Sequence, residues 1–246
     1  MKTIVTGMKC LGLITGLLLA SLTTRAQMPG GAAGMSTSLL KLFGDITAFT
    51  AKTDVQVLDS SGKETARMPM DFSLLDKKIR LEIDLARVKS SDMPAGAAVS
   101  LQKMGMAHVI SLFRPDKKRA YVVYPDQKMF LRIDSSDLGL NTSKSSKTAL
   151  GEETVDGHAC VKNKVVITDD KGQTVEAITW NAAGLKDFPL QIQTKEAGKT
   201  SLMRFSNVRF EKLDSVQFEP PTDFTEYTDQ MELMQAVMKK VTTGTK

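Results

Sequence analysis

The stretch MPMDFSLLDKKIRLEIDL, residues 68–85, contains two runs in which apolar and polar side chains alternate. Every second residue is apolar in the first run, which ends at Leu74, and again in the second run, which begins at Ile79. Such alternation is typical of a β-strand that buries one of its faces. A short polar turn at Asp76 and Lys77 separates the runs, so the stretch predicts two antiparallel strands of a meander.

The same alternation recurs along much of the chain. It is clear from Phe49 to Val57, immediately before the first of the two runs. Turns that contain Pro and Asp connect several later segments, because these residues preset the bend of a β-turn. We expect about nine or ten strands in all and a polar surface loop from Asp134 to Thr148. The further predicted strands are Ala107–Phe113, Arg119–Tyr124, Lys128–Ile133, Val161–Thr168 and Thr174–Trp180.

Three amphipathic helices are predicted to frame these strands. Ser36 can cap the first, which ends at Gly44, and the second runs from Asp92 to Gly105. The third begins near Thr228 and has one apolar side. The pattern predicts an α+β, mainly β fold, in which a curved antiparallel sheet forms an unclosed half-barrel with a few covering helices. The apolar side of the third helix is expected to comprise Met231, Met234, Val237, Met238 and Val241.

The N-terminal residues 1–26 have the parts of a secretory signal peptide. Lys2 and Lys9 supply positive charge, and an apolar stretch follows that is too short for the roughly 20 residues of a membrane-spanning helix. Cleavage after Ala26 would deliver the chain to the periplasm or outside the cell, with no transmembrane segment in the mature chain. The rest is predicted to comprise a flexible leader at 27–35, a single β-rich domain at 36–241 and a tail at 242–246.

The charge of the chain argues against nucleic acid as a partner. The formal net charge is +5, but three basic residues and no acidic residue lie in the predicted signal, which leaves +2 for the mature chain. A nucleic-acid surface requires clustered Lys and Arg beside stacking aromatic residues. The basic pairs here lie in turn sequences such as Asp76-Lys77-Lys78. We therefore predict no nucleic-acid partner.

The motif GHAC, residues 157–160, places a histidine beside the cysteine of the mature chain. Beyond His158 and Cys160, only His108 could add a nitrogen or sulfur ligand, so carboxylates would have to complete any zinc site. The spacing of the pair also does not place a base for a cysteine nucleophile. No catalytic motif with diagnostic spacing is present, and we predict no metal, no cofactor and no enzyme activity. We expect GHAC to be a strand entrance with Cys160 buried.

Four parts of the chain carry a family pattern. They are the helix and meander at 36–85, ETVDGHAC at 153–160, WNAAGLKDFPL at 180–190, and VQFEPP at 216–221 followed by Phe224. These parts resemble bacterial envelope proteins of the LolA/LolB-like fold, and in particular periplasmic members whose domain has no assigned function. The resemblance implies an unclosed β-barrel with a helical lid around a hydrophobic cavity, which known members use to carry lipoprotein acyl chains or to sense envelope lipids. The methionine-rich C-terminal helix departs from the family pattern.

The apolar faces of the predicted strands and of the last helix are rich in methionine, a flexible side chain common on surfaces that adapt to variable apolar ligands. Together with the resemblance, which implies carriage of lipoprotein acyl chains or sensing of lipids, this predicts a periplasmic binding or carrier protein for an acyl chain, a lipid or a lipoprotein, with another envelope protein as a further partner. The alternative is an envelope interaction or stress-sensing module whose cavity is filled by its own side chains. The candidate cavity-lining residues are Met68, Met70, Phe72, Leu74, Ile79, Leu81, Ile83, Leu85, Met234 and Met238.

Overall fold

The computed structural model describes residues 40–134, 144–168, 172 and 174–243. The predicted signal peptide, the leader and the start of the first predicted helix lie outside these residues. The strands and longer helices are β1 Ala48–Leu58, β2 Glu64–Leu75, β3 Lys78–Asp84, β4 Lys89–Ser90, α1 Ala97–Lys103, β5 His108–Arg114, β6 Arg119–Tyr124, β7 Met129–Asp134, β8 Lys144–Val155, β9 His158–Thr168, β10 Thr174–Ala182, β11 Phe188–Glu196, β12 Lys199–Arg209, β13 Thr225–Tyr227 and α2 Gln230–Thr243.

All of these strands belong to one open, curved sheet. The order across it is β13-β7-β6-β5-β3-β2-β1-β12-β11-β10-β9-β8, and the short β4 pairs with β2. The pairs are antiparallel except for β13, which lies parallel to β7. Within the described ranges the edge strands β13 and β8 do not pair with each other, so the sheet stays open. The predicted curved, unclosed antiparallel sheet with a few helices is confirmed, with more strands than expected.

The β2–β3 hairpin forms as its alternating sequence predicts. Asp76 and Lys77 have φ angles of 47° and 69°, the left-handed pair that matches a two-residue turn to the twist of its strands. The apolar residues of the two strands therefore lie on one side of the sheet, which we call the inner face. The facing pairs are Met70 with Ile83, Phe72 with Leu81, and Leu74 with Ile79.

Phenylalanines fill the middle of the inner face. Residues 40–42 are helical and lead into Phe43, which packs on the sheet with its ring centroid 4.9 Å from that of Phe49. Phe49 lies 4.8 Å from Phe188 in an edge-to-face arrangement, a favoured geometry for aromatic pairs. Phe72 and Phe205 complete the group and are at most 1% exposed. We call this group and its neighbours the central core.

Helices α1 and α2 cover the inner face of β5, β6 and β7. Helix α2 buries Leu233 and Val237 there. The predicted apolar side of this helix was partly wrong, because Met231 is 66% exposed and Met238 is 36% exposed. Each helical residue turns the side chain by about 100°, so Met238 lies on the flank of the face that is centred on Val237.

Helix α1 begins five residues later than predicted and ends two residues earlier, at Lys103. Its first residue is Ala97, and residues 91–96 form turns in place of a helix that starts at Asp92. Gly105 follows α1 with φ +60°, and a Cβ at this position would lie 2.8 Å from Nε2 of Gln127. Glycine is therefore favoured where α1 turns into β5, because the positive φ strains other residues.

The outer face of β5, β6 and β7 is also covered. Its buried side chains are packed by Phe224, from the segment that follows β12. That segment then pairs along β7 as β13, and Arg132 forms an ion pair with Glu226 across the pair. We call the region of β5, β6, β7 and β13 the closed end. The buried outer-face side chains are Leu112, Tyr121, Val123 and Phe130.

The opposite edge of the sheet is exposed. Strand β8 begins at Lys144 and runs through residues that were predicted to belong to a surface loop ending at Thr148. Every residue of β8 except Val155 is exposed, so the strand has no apolar face and no alternating signal in its sequence. We call the region of β8, β9 and β10 the open end.

Candidate ligand-binding cleft

A cleft of about 730 Å³ lies on the inner face of the open end. One wall is formed by 41–48, and the floor by β9 and β10, with further lining from β8, the β10–β11 turn and Phe210–Lys212. Its apolar lining consists of Leu42, Phe43, Ile46, Ala48, Val165 and Phe210. The cleft therefore joins an apolar surface next to the central core with polar groups of the sheet edge.

The β10–β11 turn shapes one side of the cleft. After a 3-10 turn at Ala183–Leu185, Lys186 and Asp187 adopt left-handed φ angles of 57° and 58°, which reverse the chain into β11. The carbonyl of Asp187 accepts a hydrogen bond from Nδ2 of Asn181 at 2.7 Å. The carboxylate of Asp187 accepts one from Nζ of Lys147 at 2.6 Å. The turn is thus held to both β10 and β8.

A buried polar network lies under the cleft. Asn163, Thr179 and Asn181 are 3%, 1% and 3% exposed. Oδ1 of Asn181 accepts from Oγ1 of Thr179 at 2.6 Å and from Nδ2 of Asn163 at 3.2 Å. Buried polar side chains are costly unless they are hydrogen-bonded, and these three bond to one another. They fix the floor of the cleft as polar, with Thr179 and Asn181 lining it.

Charged side chains surround the cleft, and lysines outnumber carboxylates. Lys147 is paired with Asp187, and the ammonium of Lys186 lies 4.6 Å from the ring centre of Phe210. Glu211 accepts a hydrogen bond from Oγ1 of Thr50 at 2.9 Å. The charged lining residues are Lys41, Lys147, Lys186, Lys212, Asp45, Asp187 and Glu211.

The ten residues predicted to line a cavity lie elsewhere. Met70, Phe72, Leu74, Ile79 and Leu81 are buried in the central core. Packed side chains surround them in the structure. Their proposed contact with a ligand stays a prediction.

The other five are spread toward the closed end. Met68 is partly buried against the central core, and Ile83 packs between that core and the cluster of the closed end. Leu85 and Met234 belong to the closed-end cluster, while Met238 is partly exposed on α2. None of the ten lines the 730 Å³ cleft.

A smaller concavity of about 380 Å³ borders β1, β2 and β3 and includes Met70 in its lining. Some of its polar groups contact one another. Lys52 lies 2.5 Å from Asp71, and Nε2 of His108 lies 2.8 Å from Oε1 of Glu82.

The GHAC motif is a strand entrance, as predicted. Strand β9 begins at His158, which is exposed, and Cys160 is 2% exposed. Sγ of Cys160 lies 3.4 Å from the carbonyl of His158, and burial raises the pKa of the thiol. A raised pKa keeps the cysteine in its less reactive protonated form.

The described residues lack two further kinds of feature. They contain no cluster of three or more His, Cys, Asp or Glu that could hold a metal ion. Neither α1, α2 nor any other helical segment in the described ranges combines the length and hydropathy of a membrane span.

The residues of the cleft were missed in the sequence because they are far apart along the chain. One signal was present in β9, where Asn163 interrupts an apolar series of Val161, Val165 and Ile167. A polar residue on a buried strand face indicates a bonded partner or a site, and here the partner is Asn181.

No protein-family model and no curated protein matches the sequence. Among solved structures, lipoprotein LppX from Mycobacterium tuberculosis is 12% identical, with 75% of this chain and 98% of that chain covered and a TM-score of 0.40. A LolA superfamily protein from Nitrosomonas europaea is 11% identical, with 78% and 98% covered and a TM-score of 0.37. LprF from Mycobacterium bovis is 12% identical, with 80% and 100% covered and a TM-score of 0.38. One of these three structures belongs to the LolA superfamily, the group that the sequence resembles.

Proposed function

We propose that the protein is a periplasmic binding or carrier protein that holds the acyl chain of a lipid or lipoprotein in the open-end cleft. The observation that carries the proposal is the cleft itself, about 730 Å³ in volume and partly lined by apolar side chains. Ligand pockets are commonly about 300–1,000 Å³, so the cleft has room for an extended chain.

The apolar lining is sufficient for useful affinity. Burial of an acyl chain contributes roughly 0.8 kcal/mol per methylene, so eight buried methylenes would contribute about 6 kcal/mol before the costs of association. Leu42, Phe43, Ile46 and Phe210 supply apolar contacts along the cleft. Micromolar binding is therefore expected, and affinity should rise with chain length.

A specific observation also favours a second function, an interaction or stress-sensing module without a ligand. The middle of the inner face is filled by the protein's own phenylalanines, with Phe49 and Phe205 fully buried. If the cleft binds no acyl chain, this self-filled core makes the module the better explanation.

Two neighbouring serines on β8 provide a matched test of the cleft. Ser145 lies opposite Ile167 and lines the cleft, whereas Ser146 lies opposite Val166 on the other side of the strand. Both are exposed, so tryptophan should be accommodated at either position without disturbing the core. Successive strand residues point to opposite faces, so only Ser145→Trp should obstruct the cleft.

The measurement is titration with a fluorescent fatty acid, after circular dichroism confirms that each variant is folded. Wild type and Ser146→Trp should bind with similar affinity, and Ser145→Trp should bind about tenfold or more weakly. Equal binding by both variants would place the ligand outside the cleft. No binding of any chain length by wild type would reject the carrier function.

The periplasmic part of the proposal depends on the predicted signal peptide. Intact-mass analysis of the protein from the cell envelope should give a mature chain that begins at Gln27 without an acyl group. A mass that includes residues 1–26 would reject export by this route.

A further inference from the structure

We propose that the cleft selects amphiphiles with an anionic head group, and that Lys41 and Lys212 bind this head group. The inference rests on the proposed function, since it specifies which acyl ligand the cleft prefers. The two lysines lie on different segments of the cleft wall, 41–48 and Phe210–Lys212.

Besides Lys186, whose ammonium stays charged against the ring of Phe210, these two lysines supply the positive charge that is not paired with a carboxylate in the described residues. Lys147 is neutralised by Asp187, at 2.6 Å, and Lys186 lies over the ring of Phe210. Within the described residues, neither the Lys41 nor the Lys212 ammonium forms an ion pair with a carboxylate. Both are therefore available to an incoming anion.

The carboxylates around the cleft do not cancel this charge. Asp187 is bound to Lys147, and Glu211 accepts from the hydroxyl of Thr50. Glu211 and Asp45 keep their negative charge, so the four lysines and three carboxylates of the lining leave a net charge of +1. An anionic head group would form charge-assisted hydrogen bonds with the ammonium groups, whereas a cationic one would be repelled.

The positions of the two lysines in the sequence also place the anionic head group of the ligand beside its acyl chain. Lys41 immediately precedes Leu42 and Phe43, and Lys212 follows Phe210 by two positions, so each lysine adjoins apolar lining. An amphiphile can therefore put its anion at the lysines while its chain lies along these apolar side chains. Neither part of the ligand has to leave the cleft.

The test compares three ligands with the same twelve-carbon chain, namely dodecyl phosphate, dodecyl maltoside and dodecyltrimethylammonium. Each is used below its micelle concentration to displace a fluorescent fatty acid from the full-length mature protein. Dodecyl phosphate should bind about tenfold or more tightly than the maltoside, and the trimethylammonium compound should bind most weakly. Inorganic phosphate at the same concentration should not displace the probe, because it lacks the chain.

The variant Lys41→Gln/Lys212→Gln should remove most of the preference for phosphate, so that its affinities for dodecyl phosphate and dodecyl maltoside become similar. Lys195→Gln is the matched control, because Lys195 is exposed and lies eight residues along β11 from Asp187, roughly 26 Å away in an extended strand. Lys195→Gln should keep the preference for dodecyl phosphate over dodecyl maltoside. All variants are checked by circular dichroism before titration.

The outcomes separate this inference from the function on which it rests. If the three ligands bind equally, or if the double variant keeps the phosphate preference, head-group selection by these lysines is wrong while acyl binding stands. If inorganic phosphate displaces the probe, the lysines bind a free anion and selection of an amphiphile is wrong. If no ligand displaces the probe and the probe itself does not bind, the proposed function fails, and the inference fails with it.

Discussion

The closed end and the open end of the sheet differ in what covers their strands. At the closed end, α1 and α2 cover the inner face, the segment with Phe224 covers the outer face, and β13 pairs along the edge. At the open end, β8 is exposed along almost its whole length, and the inner face bears the cleft.

Under the proposed function, stability and binding belong to separate parts of one sheet. Side chains that are enclosed on both faces contribute mainly to folding, since no ligand can reach them without local unfolding. A cleft beside an uncovered strand is accessible without such a change. Substitutions at the closed end should therefore alter stability and leave ligand affinity intact, and substitutions around the cleft should do the reverse.

The largest expected effect is loss of packing on α2. Leu233 is 1% exposed, so Leu233→Ala should lower the free energy of unfolding by about 2–5 kcal/mol. Met231→Ala on the same helix is the control and should change it by less than about 0.5 kcal/mol, because Met231 is 66% exposed. Urea denaturation measures both. Equal losses would mean that α2 packs through the methionine face expected from the sequence.

The next effect concerns the salt bridges that hold the segment after β12 to the closed end. Arg114 is 4% exposed, lies 2.7 Å from Asp116, forms an ion pair with Glu219 and donates to the carbonyl of Phe218. Arg114→Met should lower the free energy of unfolding by about 1.5–3 kcal/mol. The loss should be near the lower value, because both carboxylates are partly exposed and can be rehydrated. Urea denaturation at neutral pH measures this loss of unfolding free energy.

The same cluster predicts a pH dependence. The hydrogen bond from Arg114 lowers the pKa of Asp116. Burial alone would raise the pKa of Glu219, but hydrogen bonds from Arg114 and Lys117 outweigh it and lower that pKa. Carboxylates with lowered pKa stabilise the fold above their unfolded values of about 3.9 and 4.3, and this contribution is lost as the pH falls through the folded values. The difference between wild type and Arg114→Met should therefore shrink in acid, and a constant difference down to about pH 2 would contradict this.

A smaller effect is expected in the GHAC motif of the open end. Cys160→Ser replaces a buried thiol by a hydroxyl and should lower the free energy of unfolding by about 1 kcal/mol. His158→Gln alters an exposed side chain and should lower it by less. Elemental analysis should show zinc at background in wild type and in both variants. Stoichiometric zinc that either substitution removes would make the motif a metal site.

The smallest effect is expected for the salt bridge across the cleft wall. Lys147 and Asp187 lie 2.6 Å apart, but their side chains are 42% and 60% exposed. Exposed pairs contribute about 0–1 kcal/mol, so Lys147→Ala should leave thermal stability nearly unchanged. A larger loss in a thermal melt would show that the open end depends on this pair for its fold.

The sequence predicted those parts of the fold in which local pattern and tertiary packing agree. The β2–β3 hairpin was predictable because alternation and the turn at Asp76 and Lys77 both favour it. Strand β8 was not, because its pairing with β9 is made by backbone hydrogen bonds and its side chains are polar on both faces. A strand at an exposed edge has no burial pattern to detect.

The candidate site was less predictable than the fold. Apolar alternation identifies a buried face, but the central core and a ligand cavity have the same pattern, and the sequence does not show that Phe43 packs against Phe72. The cleft is assembled from segments as distant as 41–48 and Phe210–Lys212, which only the sheet order brings together.

The most direct test of the division between the two ends is to map where an acyl chain binds. A fatty acid with a photoactivatable diazirine on its chain is bound to the full mature protein and irradiated, and labelled peptides are identified by mass spectrometry. Labels are expected in peptides that contain 41–48, 145–147, 179–187 or 210–212, the segments around the cleft. Labels concentrated in 68–85 and 230–243 would instead place the chain against the central core and α2, and would contradict binding at the open end.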